Sequence, residues 1–150
     1  MLLRKTNRES GAYMSTLNKK ILLVDDDAVV LKALSIKLKG AGYDVIAASD
    51  GTKAVTAARS DKPDAIVLDL NFPDDFGTVA WDGYRIMEWL NRLDNGIKTP
   101  IIVISSSDPQ KVETRVRALG AVAFFQKPVN TAELESELQR LLSTEAIASV

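Results

Sequence analysis

Four short apolar runs constrain this chain most. Ile21-Leu22-Leu23-Val24, Ala65-Ile66-Val67-Leu68, Ile101-Ile102-Val103-Ile104 and the run from Val122 towards Gln126 are each too short for a helix and are followed by polar or turn residues. Unbroken apolar runs of this length read as strands buried on both faces, as in a parallel sheet. Tyr43 to Ala48 reads as a fifth strand, second in chain order. Helical patterns lie between them. Val30, Leu31, Leu34 and Leu38 share one face, with Lys32, Lys37 and Lys39 outside it. Asp27 fits an N-cap there, and Gly40 and Gly42 fit stop signals.

The later helices carry similar signals. Asp50-Gly51 opens a short helix to about Ser60 with Ala54, Val55 and Ala58 inward, and Lys62-Pro63 turns the chain into the third strand. A helix is expected from near Asp82, with Ile86, Trp89, Leu90 and Leu93 inside, ended by Asn95-Gly96. Asp108-Pro109 starts another that runs to Leu119 and stops at Gly120. Asn130 with Glu133 opens the last, whose stripe is Leu134, Leu138, Leu141 and Leu142. Strands alternating with helices predict an α/β fold, a doubly wound five-stranded parallel sheet with helices on both faces. Residues 1–18 read as a flexible N-terminal extension with Arg4, Lys5 and Arg8 solvated, and Met14 is an alternative start. Residues 19–143 make the domain and 144–150 a C-terminal tail.

Composition removes several kinds of chemistry. The chain has no histidine and no cysteine. That excludes Ser-His-Asp catalysis, imidazole bases, His-ligated zinc, thiolate sites and disulfides. Any metal must be bound by oxygen, which points to Mg²⁺, Mn²⁺ or Ca²⁺. A net charge of -1 gives no general electrostatic drive towards nucleic acid or membranes. No apolar stretch approaches the roughly 20 residues of a membrane span, so a cytoplasmic protein is expected.

The polar residues that close the runs carry the function. Asp25 and Asp26 follow the first strand, Asp69 closes the third, Ser105 the fourth and Lys127 the fifth. Each alone is an ordinary cap, turn or surface residue. In a parallel sheet, however, all these ends share one edge, the edge where open α/β sheets bind ligands. Crowded carboxylates repel, and a hard divalent cation relieves that repulsion. With the metal, Asp69 could attack phosphorus as a nucleophile, Lys127 could pair with phosphoryl oxygens, and Ser105 could donate a hydrogen bond to one of them. Phosphoryl transfer asks mainly for such positioning and charge stabilisation.

As a set, Ile21 to Asp27, Ile66 to Asp69, Pro73, Asp82-Gly83, Pro100 to Ser106, and Gly120-Ala121 through Lys127-Pro128 resemble the receiver domain of two-component response regulators, a CheY-like, flavodoxin-type fold. The resemblance spans residue 20 to about 142. It implies strand order 2-1-3-4-5, with Asp69 as phosphoacceptor. It also implies Mg²⁺ (or Mn²⁺) held by Asp26, by Asp25 largely through water, by Asp69 and by the backbone carbonyl of Asn71. Ser105, with Ser106 beside it, and Lys127 would bind the phosphoryl group. Ser105 would also act with Phe124 as the switch pair, and Lys127-Pro128 would be a cis peptide. The expected partners are a histidine kinase or histidine phosphotransfer protein and a downstream protein met through the helix 4–strand 5–helix 5 face, roughly 108–142. A stand-alone signalling protein is expected, monomeric or dimerising on phosphorylation, with no direct nucleic-acid or membrane contact. It would not be an enzyme beyond self-catalysed phosphoryl acceptance and autodephosphorylation.

Two features depart from the family. The connection from Asp69 to Asp82 is about six residues longer than usual, and its segment 71–82, with Phe76 and Trp81, is either a tolerated insertion or a contact surface over Asp69. Asp74 and Asp75 would add negative charge there. Phe124 lacks the hydroxyl of a tyrosine. Two other functions fit parts of the pattern: a pseudo-receiver that binds partners without being phosphorylated, and a haloacid-dehalogenase-type phosphatase using Asp25, suggested by Asp25-x-Asp27-x-Val29.

Overall fold

The computed structural model describes residues 18–70, 83–93 and 99–143. Five strands and five helices alternate: β1 (Lys20–Val24), α1 (Ala28–Gly40), β2 (Asp44–Ala48), α2 (Gly51–Asp61), β3 (Ala65–Asp69), α3 (Gly83–Leu93), β4 (Ile101–Ser105), α4 (Pro109–Ala118), β5 (Ala121–Gln126) and α5 (Thr131–Leu142). The strands form one parallel sheet in the order β2-β1-β3-β4-β5. This is the expected doubly wound order.

Strand side chains alternate between two cores. On one face Leu22, Val24, Ile66, Leu68, Ile101 and Val103 pack with Ala54 of α2, Ile86, Met87 and Leu90 of α3, and Val112 and Val116 of α4. On the other, Ile21, Leu23, Val67, Ile102 and Ile104 pack with Leu31, Leu34 and Leu38 of α1 and Leu134 and Leu138 of α5. All of β3 and β4 is buried, which accounts for apolar runs with no polar alternation.

Local chemistry sets the helix ends. Asp27, Asp50, Asp108 and Asn130 each accept backbone N–H bonds as N-caps. Lys62 (φ 46) ends α2 in the left-handed region, and Gly120 (φ 105) does so just after α4.

Two inward assignments change. Trp89 is 37% exposed, and fully buried Met87 takes its place in the α3 core. Ile86, Met87 and Leu90 stand at i, i+1 and i+4, a narrower stripe than the one extended to position 89. The indole of Trp89 lies under the guanidinium of Arg92 instead, 5.6 Å from the ring centroid. In α2, Ala57 joins Ala58 against the core, and Val55 is only half-buried. The described part of α3 starts at Gly83. Asp82, Asn95-Gly96, the Leu93 side chain, the basic residues of 1–17, the segment 71–82 and the tail 144–150 lie outside the described residues.

Gly83 seats α3 directly on the end of β3. Its N–H donates to the Leu70 carbonyl at 3.2 Å. A Cβ at position 83 would lie 2.6 Å from the Leu70 Cα, so any other residue would have to move backbone.

Candidate metal centre

The sheet brings the strand-end residues together. Asp25 follows Val24, and its N–H donates to the Ala48 carbonyl at 3.1 Å. Asp69 is the last residue of β3 and pairs in register with Ile104. Ser105 ends β4, and its carbonyl accepts the Lys127 N–H at 2.8 Å just past the end of β5. Backbone pairing alone therefore aligns residues from four parts of the chain.

Their side chains meet. Lys127 Nζ lies 3.0 Å from Asp25 Oδ2 and 3.2 Å from Asp69 Oδ1. Asp25 is 2% exposed, Asp69 1% and Ser105 0%. Carboxylate oxygens of Asp25, Asp26 and Asp69 all lie within 4.8 Å of one another. Three carboxylates against one ammonium leave this set short of positive charge. Although Asp26 is largely exposed, the partial loss of water around its carboxyl, and then repulsion from Asp25, hold it above its ordinary value. Burial pulls the Lys127 ammonium the other way. Its hydrogen bond to Asp25 and the charges of Asp69 and Asp25 outweigh that burial, and its pKa rises.

The donor set suits a small hard cation: oxygen only, anionic, with Asp26 open to solvent. Thiolate or imidazole-bound metals have no ligands in this chain.

The remaining expected residues can be placed. Ser105 Oγ accepts the Ser107 N–H at 3.0 Å, and Ser106 is exposed beside it. Phe124 is half-buried, packs against the core on the α2, α3 and α4 side, and stands opposite Val103 in the ladder. The Lys127–Pro128 peptide is cis. Asn71, with its backbone carbonyl, lies outside the described residues, as do Pro73, Asp74, Asp75, Phe76 and Trp81.

The sequence pairs Lys127 with phosphoryl oxygens alone; in the structure it also bridges two buried carboxylates. The signal lies in the strand order, since a lysine just past the end of β5, two strands from Asp69, must meet the charges already there. The contact between the Asp27 N–H and Asp25 has no counterpart in the sequence pattern.

A family model described as "Response regulator receiver domain" matches residues 21–139. This chain belongs to that family. Among curated relatives of this receiver domain, the alkaline phosphatase synthesis transcriptional regulatory protein PhoP of Bacillus subtilis is 33% identical over 133 residues, covering 89% of this chain and 52% of that protein. The DNA-binding response regulator MtrA of Mycobacterium tuberculosis is 35% identical over 130 residues, covering 86% of this chain and 53% of its own. The chain thus spans about half the length of the curated relatives it matches. Among solved structures, the chemotaxis protein CheY4 of Vibrio cholerae aligns with TM-score 0.74 and 29% identity, covering 83% of this chain and 99% of that one. The receiver domain of the sensor histidine kinase PA1611 from Pseudomonas aeruginosa, described with a magnesium ion in its active-site cleft, aligns with TM-score 0.71 and 29% identity over 83% of this chain and 98% of its own.

Asp25, the residue that the phosphatase alternative would use, is buried with one oxygen on Lys127 and the other on a backbone amide. Among the described residues, no helix is long and apolar enough to cross a membrane.

Proposed function

We propose that this receiver domain accepts a phosphoryl group on Asp69 in a Mg²⁺-dependent reaction and changes a partner-binding surface in response. The observation that carries this reading is the shared placement of Asp25, Asp26 and Asp69 around Lys127. Asp26, Asp25 and Asp69 would hold the cation, with the Asn71 carbonyl as a further donor. Bound Mg²⁺ would neutralise charge on the phosphoryl oxygens.

The chain's own residues do the rest. An Asp69 carboxylate oxygen forms the new bond to phosphorus as the bond from phosphorus to the donor's imidazole nitrogen breaks. The electron pair of that bond leaves with the imidazole. The donor is a histidine kinase or phosphotransfer protein, since this chain has no histidine of its own. Lys127 transfers part of its pairing from Asp25 and Asp69 to the incoming oxygens. Ser105 donates a hydrogen bond from its hydroxyl to one of them, and Phe124 repacks as Ser105 moves, a local charge event biasing a two-state element. The face of α4, β5 and α5 then meets the downstream protein. Acceptance and loss of phosphate are self-catalysed, and no other enzymatic activity is proposed.

The test is direct. Incubated with acetyl phosphate and Mg²⁺, the protein should gain one phosphoryl mass, and EDTA should prevent it. Asp69→Asn should gain none while keeping its circular dichroism spectrum. A wild-type protein that binds neither Mg²⁺ nor BeF₃⁻, followed by tryptophan fluorescence, would point to the pseudo-receiver instead.

A further inference from the structure

Asp27 is the third acid of the run that follows β1, and it does different work from the other two. Its Oδ1 accepts the N–H groups of Val29 at 2.9 Å and Val30 at 3.3 Å, capping α1. Its own backbone N–H donates to Asp25 Oδ1 at 2.9 Å. The other oxygen of Asp25, Oδ2, is taken by Lys127 at 3.0 Å. Both oxygens of a carboxylate that is 2% exposed are therefore held by donors from opposite ends of the chain.

The two donors differ in stiffness. Lys127 reaches Asp25 on a long flexible stem and shares itself with Asp69. Any new negative charge at Asp69 competes for it. The Asp27 amide cannot be drawn away in this manner. Its position is set by an extended backbone (φ -84, ψ 110) and by two cap bonds that tie the same residue to the first turn of α1.

We propose that Asp27 is a positioning residue for the metal centre: its backbone N–H sets the orientation of Asp25, and its side chain holds that N–H in place by anchoring the start of α1. The inference rests on the Mg²⁺ reading above. It assigns the third acid to geometry, not to ligation. It also makes the first turn of α1 part of the site.

Three substitutions separate the parts. Asp27→Ser keeps both a cap acceptor and the amide. Asp27→Ala keeps the amide and loses the cap. Asp27→Pro loses both, at a φ close to what the ring imposes. Mg²⁺ titration by calorimetry should place Ser within about twofold of wild type and Ala about threefold weaker, with Pro weaker by tenfold or more, roughly the loss seen when the partner of a metal ligand is removed. A proline variant that binds Mg²⁺ as well as the alanine one would overturn the proposal, and so would failure of serine to restore affinity. Circular dichroism shows whether the proline variant folds. If it does not, amide exchange decides. The Asp27 N–H of the wild type should exchange slowly without Mg²⁺ and become fast in Asp25→Ala, and equal exchange in the two overturns the proposal. Absence of Mg²⁺ binding by the wild type would instead break the metal reading, while the exchange comparison would still judge the contact.

Discussion

The two ends of the sheet treat charge in opposite ways. At the amino end, the Lys20 N–H donates to Asp64 Oδ2 and the Asp64 N–H returns a bond to the Lys20 carbonyl, both at 2.8 Å. Lys20 Nζ reaches the Asp61 carbonyl at 3.4 Å. Lys20 and Asp61 are exposed and Asp64 is half-buried, so water shares the work. At the carboxyl end, Asp25, Asp69 and Ser105 are buried and the cation that faces them is outnumbered. Helix-to-strand connections serve the amino end and strand-to-helix connections the carboxyl end. Among the described residues, only the carboxyl end buries charged side chains, and charge held that way is available for binding.

Substitutions should separate the two ends by size of effect. Lys127→Met leaves two buried carboxylates without their ammonium, and should cost about 3–5 kcal/mol in urea unfolding without Mg²⁺. A loss under about 1 kcal/mol would mean that the carboxyl end is no more strained than a surface. Gly83→Ala forces a Cβ against the Leu70 backbone, and should cost about 1–3 kcal/mol by the same measurement.

Asp26→Asn should act in the other direction. The folded state holds this carboxyl above its unfolded pKa. The folded protein therefore binds the proton more tightly. Its stability is undiminished below the unfolded value and falls as pH rises through the window between the two. Removing the charge should raise stability without metal by under about 1 kcal/mol, since the group is exposed. It should flatten that pH dependence and abolish stabilisation by Mg²⁺. Thermal melts across pH, with EDTA or Mg²⁺, give all three readouts. At the amino end, Asp64→Asn should stay within about 0.5 kcal/mol of wild type and leave Mg²⁺ affinity unchanged. A larger loss there would erase the contrast.

Much of this layout is legible in the sequence, for a physical reason. A strand covered on both faces must be apolar throughout, so its first polar residue marks its end. Asp25, Asp69 and Ser105 announce themselves by breaking such runs. Lys127 does the same less sharply, because β5 is an edge strand with exposed Val122. What the pattern leaves open is choice among neighbours on a helix. Trp89 and Met87 both flank the α3 stripe, and hydropathy alone does not say which the core has room for. Hydrogen bonds that depend on one backbone turn, such as Asp27 to Asp25, leave no compositional trace. The roles of the segment 71–82 and of Asn71 are not reached by the described residues.

The contact of Gly83 with Leu70 has a consequence for how this protein can be altered. The chain departs after Leu70 and rejoins at the same spot, its two ends joined by a backbone bond and close packing. A change in the length of the connection between them carries a small closure cost, about 0.6 kcal/mol per doubling, as long as this contact is kept. Leu70 and Gly83 are thus a clasp one residue beyond Asp69: the seat of α3 and the end of the strand that carries the acid are fixed by the same two residues.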